Sequence, residues 1–310
     1  MLDAEAEGRT GSLADLAARA RDGHLVAIVG PTATGKTALA VRLAERTDGE
    51  VVSADSVQIY RRFDIGSGKP TAEELARAPH HLVGVLRPDD AVDAARFATL
   101  ADAAIDDIVG RGKVPILCGG TFLWVKALLY GLAAAPPADA ALRARHQAIV
   151  AASGRGELHR MLAEVDPRSA ARLHPNDVLR VSRALEVFEL TGEPLSALQE
   201  SHAFRGSRHR PYLAAIRVSP AELTLRIARR VDAWLAAGWI EEVRALVRDG
   251  FGDSRAMGSV GYREVRAHLT EPRSNDELAA SIVRSTRVFA RRQRTWLNHA
   301  EVSWVEDAGG

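Results

Sequence analysis

At 310 residues the chain suits one large domain or two modest ones, and with 46% hydrophobic and 26% charged residues it reads as a folded globular protein rather than a disordered one. A single cysteine, Cys118, excludes a disulfide framework and a cysteine-based metal site, and a formal net charge of +1 names no partner by itself. No apolar run reaches bilayer length, since 123–135 is interrupted by Lys126 and ends in Pro136-Pro137; without a basic and apolar leader at its start, the chain is expected to be cytoplasmic and not membrane-bound.

Residues 1–23 read as an N-terminal extension with a short helix (Leu13, Leu16, Ala17, Ala20) and no assigned function. His24 to Val29 is a short β-branched apolar run, the mark of a buried parallel strand. It leads into Gly30-Pro31-Thr32-Ala33-Thr34-Gly35-Lys36-Thr37, which fits the phosphate-loop pattern Gly-x4-Gly-Lys-[Ser/Thr]. A helix over 38–46 follows, with Leu39 and Leu43 on one stripe. Strand, glycine-rich turn and helix are the setting this motif needs. Gly30 and Gly35 let the backbone approach a ligand, and the turn and helix N-terminus aim N–H groups at a phosphate. Lys36 supplies a point charge, and Thr37 a hydroxyl for Mg2+. The motif alone does not distinguish a diphosphate from ATP or another nucleotide.

A second strand over 51–54 ends at Asp55, at the sheet edge where open α/β folds carry their ligand crevice. There Asp55 is a candidate general base or Mg2+-linked group, or else a turn cap. The loop Asp64-Ile65-Gly66-Ser67-Gly68-Lys69-Pro70 offers a weak second anion contact, 80–86 reads as a strand, and His80-His81 as structural histidines. A helix over 94–109 precedes a third strand, 114–118, which ends in Gly119-Gly120-Thr121 where an ATPase usually has its Mg2+-holding Asp. That substitution suggests close backbone approach to a substrate, with Thr121 as positioning hydroxyl.

The segment 131–139 is a linker by composition, and beyond it the strand signal vanishes. Helices are expected over 139–152, 155–165 and 177–191, with a turn near 195–201: an all-helical insertion. Arg180 and Arg183 share one helix face, either solvated with an Arg183–Glu186 pair or used for binding. Strand pattern returns at 212–218. Ser219-Pro220 then starts a helix carrying Arg226 and Arg230 at i,i+4, and another follows at 240–249. A capping box at Ser274–Glu277 opens the last long helix, where Arg284, Arg287, Arg291 and Arg294 fall on one face with no acidic residue between Glu277 and Glu301. Such a stripe suits a polyanionic partner, unless acids elsewhere neutralise it.

The elements add up to an α/β fold, a P-loop NTPase-like parallel sheet flanked by helices, with an all-helical insertion domain. The expected division is 24–135 and 204–310 for the core and 136–203 for the insertion. An enzyme acting on a nucleic acid with a phosphorylated co-substrate fits these features. The chain resembles the tRNA dimethylallyltransferase (tRNA isopentenyltransferase) family. The likeness runs in family order through the phosphate loop (30–37), Ser-Ala-Asp-Ser-Val-Gln-Ile-Tyr (53–60), 64–70, Gly-Gly-Thr (119–121), His-Pro-Asn-Asp and the Arg-Val-Ser-Arg stretch (174–187), Val-Gly-Tyr-Arg-Glu (260–264) and Thr-Arg to Thr-Trp (286–296). Trp124 and Arg291 depart from the usual Tyr and Lys.

The resemblance implies transfer of a dimethylallyl group from its diphosphate to N6 of the adenine 3′ of the anticodon (position 37), by a cytoplasmic, monomeric enzyme using Mg2+. It implies Asp55 as base and Thr121 as adenine-positioning group. Residues 30–37 with Arg226 and Arg230 would form the diphosphate cage. Asp55, Ser56, Val57, Gln58, Thr121, Arg143, Leu179, Arg180, Val181, Ser182, Arg183 and Gly258, Ser259, Val260, Gly261, Tyr262, Arg263 would touch the anticodon stem-loop. A small-molecule kinase, an RNA-stimulated ATPase and an adenylate isopentenyltransferase acting on free nucleotides remain as alternatives.

Overall fold

The computed structural model describes residues 10–202, 206–298 and 300–306. Within them the chain runs β1 (Thr10–Gly11), α1 (Leu13–Arg21), β2 (Leu25–Val29), α2 (Lys36–Thr47), β3 (Gly49–Ser53), α3 (Ala72–Arg77), β4 (His80–His81), α4 (Ala94–Gly110), β5 (Val114–Gly119) and α5 (Phe122–Tyr130). Five helices follow: α6 (Ala140–Ser153), α7 (Arg155–Val165), α8 (Pro167–Arg172), α9 (Val178–Thr191) and α10 (Leu195–His202). The chain then forms β6 (Pro211–Arg217), α11 (Pro220–Ala236), α12 (Trp239–Arg248), a 3-10 turn (Arg255–Gly258), α13 (Tyr262–Thr270), α14 (Asn275–Leu297) and β7 (Ser303–Glu306). Two compact units result, one from the chain up to Leu129 and from Arg208 onward, the other from Tyr130–Ser207.

The first unit holds a seven-stranded sheet among the described residues, in the order β1-β7-β6-β2-β5-β3-β4, with every pairing parallel. β2 and β3 are buried along their whole length; β2 is accordingly apolar without alternation, while β3 carries the buried Glu50 and Ser53 around Val51 and Val52. α1 and α2 cover the sheet through Leu16, Leu39 and Leu43, packed on Val26, Ile28 and Ile116. Truncating a fully buried leucine such as Leu43 removes about 2–5 kcal/mol. The pairing of β2 with β5, and of β5 with β3, sets the chain leaving each of these strands side by side at the carboxyl edge: Val29 lies against Gly119, and Ser53 against Cys118. That edge carries the cavity described below.

The strand expected over 80–86 shrinks to two residues. Leu82 and Gly84 both adopt left-handed backbone, which turns the chain out of the sheet, and only Leu86 returns to bridge Tyr60. His81 Nε2 lies 2.6 Å from Glu50 Oε2, and His80 Nδ1 lies 2.8 Å from the Ala78 carbonyl. Arg111 and then His81 hold the Glu50 carboxyl down to about 2 against the upward push of burial. Three or more potential metal ligands do not gather anywhere among the described residues. Nor is any described helix long and apolar enough to cross a membrane.

The second unit is all helix. Leu158, Leu162, Val181, Ala184 and Leu185 form its buried core. The turn expected near 195–201 is the helix α10, and α8 was not anticipated, although Asp166-Pro167 spells an N-cap followed by proline in the first turn. Glu186, fully buried, accepts hydrogen bonds from the Asp139 N–H and from both Arg143 and Arg183. Burial pushes its pKa up, but Arg183 and Arg143 outweigh that and hold it below the ordinary carboxylate range.

Candidate active site

A cavity of about 700 Å3 opens at the carboxyl edge of the sheet in the first unit. Thr32, Ala33, Gly35, Lys36 and Thr37 line it from the phosphate loop. Gly30, Pro31 and Thr34 shape the loop from behind: Pro31 offers its carbonyl to the Thr34 hydroxyl at 3.0 Å and to the Lys36 ammonium. Gly30 and Gly35 take positive φ, and so does Ala33 at 64°, a left-handed residue that costs about 1–2 kcal/mol. Burial lowers the Lys36 pKa to about 8. The neighbouring Cys118 thiol is pushed up to about 11 by burial and is inert at neutral pH.

Asp55 stands on the cavity wall just beyond β3. Its Oδ1 accepts from the Val57 N–H at 2.9 Å and the Gln58 N–H at 3.2 Å, which fixes the carboxyl group and leaves Oδ2 for other partners. The turn cap and the carboxylate on the cavity wall are therefore one group. Thr121 Oγ1 accepts from the Ser56 N–H at 3.1 Å, so its own O–H remains to donate. Ser56, Val57 and Gln58 also line the cavity. The Gln58 side chain is occupied, however: its Nε2 donates to the Gly68 carbonyl at 2.9 Å, and its Oε1 accepts from Ser53. It ties the 64–70 loop to the end of β3.

Arg230 reaches the cavity from α11. It donates weakly to Thr32 Oγ1 at 3.4 Å and lies over the Trp234 ring at 4.3 Å, and burial lowers its pKa. A Cβ on Gly68 would fall 1.7 Å from the guanidinium, so only glycine permits this approach. Arg226, expected beside it, is not on the cavity wall and instead donates to Glu222 at 2.8 Å. Lys69 donates to the Tyr60 carbonyl and to Asp64 Oδ1, both at 2.6 Å, and so is not a free second anion contact.

Several residues expected at the nucleic acid are buried by the fold. Val181 is in the core of the helical unit, and Ser182 lies 2.8 Å from the buried His146, so their side chains serve packing. Tyr262 is fully buried, with its hydroxyl donating to Glu242 at 2.6 Å. Gly261 packs against Trp239. Gly258, Ser259 and Val260 do line the cavity, and Arg263 is exposed. Leu179 and Arg180 project from α9, Arg180 pairing with Asp177, whereas Arg143 and Arg183 are engaged with Glu186. On α14, Arg284, Arg287, Arg291, Arg292 and Arg294 are all exposed and have no acidic partner among the described residues.

Sequence reasoning missed three contributors. Glu242, on a helix that looked ordinary, accepts from the Asp64 and Ile65 N–H groups at 2.9 and 2.7 Å, anchoring the loop that faces Arg230. Trp239 supports the same loop from beneath Gly66. Gln293 lines the cavity with Ile282, Thr286 and Phe289. Their spacing of i, i+4, i+7, i+11 is a readable inner face opposite the arginine stripe.

A phosphate-loop sequence, a fixed carboxylate and two buried cations with no ion-paired acid among the described residues gather at the carboxyl edge of a parallel sheet, an arrangement that fits the class of anion-binding enzymes. The comparisons with known proteins narrow the class. The IPP transferase family model matches residues 58–300 and the isopentenyl transferase model residues 23–84. The chain is 62% identical over 283 residues to a tRNA dimethylallyltransferase of Sorangium cellulosum, covering 91% of this chain and 90% of that one. Its fold is similar to the crystal structure of a full-length tRNA isopentenylpyrophosphate transferase from Bacillus halodurans (TM-score 0.67, 38% identity, 92% and 90% of the two chains). It is also similar to a eukaryotic dimethylallyltransferase acting on tRNA (TM-score 0.75, 25% identity, 91% and 73%). The chain belongs to the IPP transferase family.

Proposed function

We propose that the protein transfers a dimethylallyl group from dimethylallyl diphosphate to N6 of the adenine at position 37 of tRNA, giving N6-dimethylallyladenosine, and that it works as a cytoplasmic monomer. The observation that carries this reading is the cavity in which the phosphate loop, Asp55, Thr121 and Arg230 meet. Its volume of about 700 Å3 suits a five-carbon diphosphate beside one nucleobase, within the range of ordinary ligand pockets.

In this reading the N6 lone pair attacks C1 of the dimethylallyl group, the C1–O bond breaks, and the diphosphate departs toward the loop. Asp55 Oδ2 takes the proton lost from N6. Loop N–H groups, Lys36 and Arg230 stabilise the negative charge that builds on the leaving oxygen. Thr121 donates to the adenine and holds it in line. An adenine stacked in an anticodon loop cannot reach such a site, so it is extruded. The Thr37 hydroxyl on the cavity wall is an oxygen donor suited to Mg2+, which keeps few protein ligands when phosphates are present. When bound, Mg2+ would offset diphosphate charge.

The exposed arginines of α14, with Arg180 and Leu179 in the helical unit, are the groups we assign to the RNA, Arg143 and Arg183 contributing the N–H groups not held by Glu186. The test is transfer of label from dimethylallyl diphosphate to an unmodified anticodon stem-loop, beside ATP hydrolysis. Label in the RNA, abolished when the position-37 adenine is replaced, is expected. ATP turnover without labelled RNA would move the protein to the kinase or ATPase class.

A further inference from the structure

Thr32, in the phosphate loop, is held by two helices whose contacting residues follow it by 198 and 261 positions. Its hydroxyl faces Arg230 of α11, and its N–H donates to Gln293 Oε1 of α14 at 3.0 Å. The other end of the same amide, Gln293 Nε2, donates to the Gly120 carbonyl at 2.9 Å. One partner is an obligate donor and the other an obligate acceptor, so a single orientation of the amide satisfies both. Gln293 is buried, which makes an unmatched replacement costly. Gly120 is shaped to the contact: a Cβ there would fall 2.4 Å from Gln293 Nε2 and 3.2 Å from the Gly30 carbonyl. Three segments, the phosphate loop, the turn after β5 and α14, therefore converge on one side chain.

We infer that Gln293 is a positioning residue of the transfer reaction, setting the phosphate loop and the Gly119–Thr121 turn at one fixed separation. The inference rests on the reading above, in which the loop holds the diphosphate and Thr121 holds the adenine. The line of attack from N6 to C1 then runs between two elements that, among the described residues, only Gln293 joins by side-chain hydrogen bonds to both backbones. A small misplacement of either end lowers the rate, because reaction requires the attacking and leaving atoms to be in line. The Gln293 amide touches no reacting atom in this scheme. It acts through Thr32 and Gly120.

Gln293→Met keeps the length of the side chain and removes both hydrogen bonds. Gln293→Glu keeps the acceptor for Thr32 and turns a carboxylate oxygen toward the Gly120 carbonyl. Leu278→Ala, which truncates a buried leucine of α14 away from the cavity wall, is the control for general loosening of the helix. Each variant is compared with wild type in thermal melting, in calorimetric binding of pyrophosphate with Mg2+, and in single-turnover transfer to the stem-loop. Both Gln293 variants are expected to bind pyrophosphate about tenfold more weakly and to transfer at least tenfold more slowly, with RNA affinity unchanged within twofold. Leu278→Ala is expected to melt lower yet keep pyrophosphate affinity and rate within twofold. Gln293→Met with wild-type pyrophosphate affinity and rate would overturn the inference, as would losses matched by Leu278→Ala at equal loss of melting temperature. Absence of transfer by the wild type would defeat the proposed reaction, while the pyrophosphate measurement would still decide the role of Gln293.

Discussion

In the helical unit, Arg143 and Arg183 both close on Glu186, a carboxylate with no exposed surface. In the sheet unit, Lys36 and Arg230 face the cavity with no carboxylate at ion-pair distance among the described residues; their contacts include the Pro31 carbonyl, the Thr32 hydroxyl and the Trp234 ring. The consequences for protonation run in opposite directions. Glu186 is held ionised by its partners, whereas burial lowers the pKa of both Lys36 and Arg230 and outweighs the upward pull of the nearby Asp55 charge. A cation matched internally stabilises the fold. A cation left desolvated and unmatched costs stability and gains from an anionic ligand what the fold does not supply.

The comparison breaks most visibly at the carboxylates. Asp55→Ala is expected to lower the single-turnover rate about 10²–10⁴-fold, the range for a lost general base, with RNA affinity unchanged within threefold. Equal losses in rate and affinity would remove Asp55 from proton transfer. Glu186→Gln should act on stability instead. Its two arginine partners are partly exposed, so screening reduces the effect to about 1–3 kcal/mol, visible as a lower melting temperature with the transfer rate of the folded protein unchanged.

Lys36→Ala is expected to lower kcat/KM for dimethylallyl diphosphate by about 10- to 150-fold, the equivalent of about 1.5–3 kcal/mol for a hydrogen bond to a charged group. The same residue sets a pH dependence. With its pKa lowered to about 8, Lys36 in the free enzyme is charged below pH 8 and loses its proton above it. Affinity for the diphosphate should therefore fall as pH rises through about 8. Flat kcat/KM from pH 7 to pH 9.5 would contradict that assignment. The smallest effects belong to the outer face of α14: replacing Arg284, Arg287, Arg291 or Arg294 singly by Ala should reduce the slope of log affinity against log salt by less than one unit each. An unchanged slope in all four would take the stripe out of the RNA interface.

The legible parts of the fold are those whose signal is local. The β2–loop–α2 segment, Asp55 at the end of β3 and the Ser274 capping box follow from neighbouring residues, and the structure places them within a residue or two of expectation. Gln293 and Glu242 were not legible as site residues, because their partners lie 261 and 178 residues away; the inner face of α14 is periodic, but neither segment says which residues it meets. Tyr262, Val181 and Ser182 sit in the motif-bearing stretches yet are buried, so a shared motif marks packing as well as contact. Lys69 looked like an anion contact until Asp64, five residues before it, proved to be its partner. The strand expected over 80–86 failed on backbone alone, since two left-handed residues interrupt an apolar run that composition cannot distinguish from a strand.

The most direct measurement places one arginine from each unit side by side: calorimetric binding of dimethylallyl diphosphate with Mg2+ by Arg230→Ala and by Arg183→Ala, each first shown to be folded. Loss of the unmatched cation should weaken binding by about 10-fold or more, the range for a charged hydrogen bond. Loss of the matched one should leave it within twofold while lowering the melting temperature. Full affinity in Arg230→Ala, or a comparable loss in Arg183→Ala, would contradict the account.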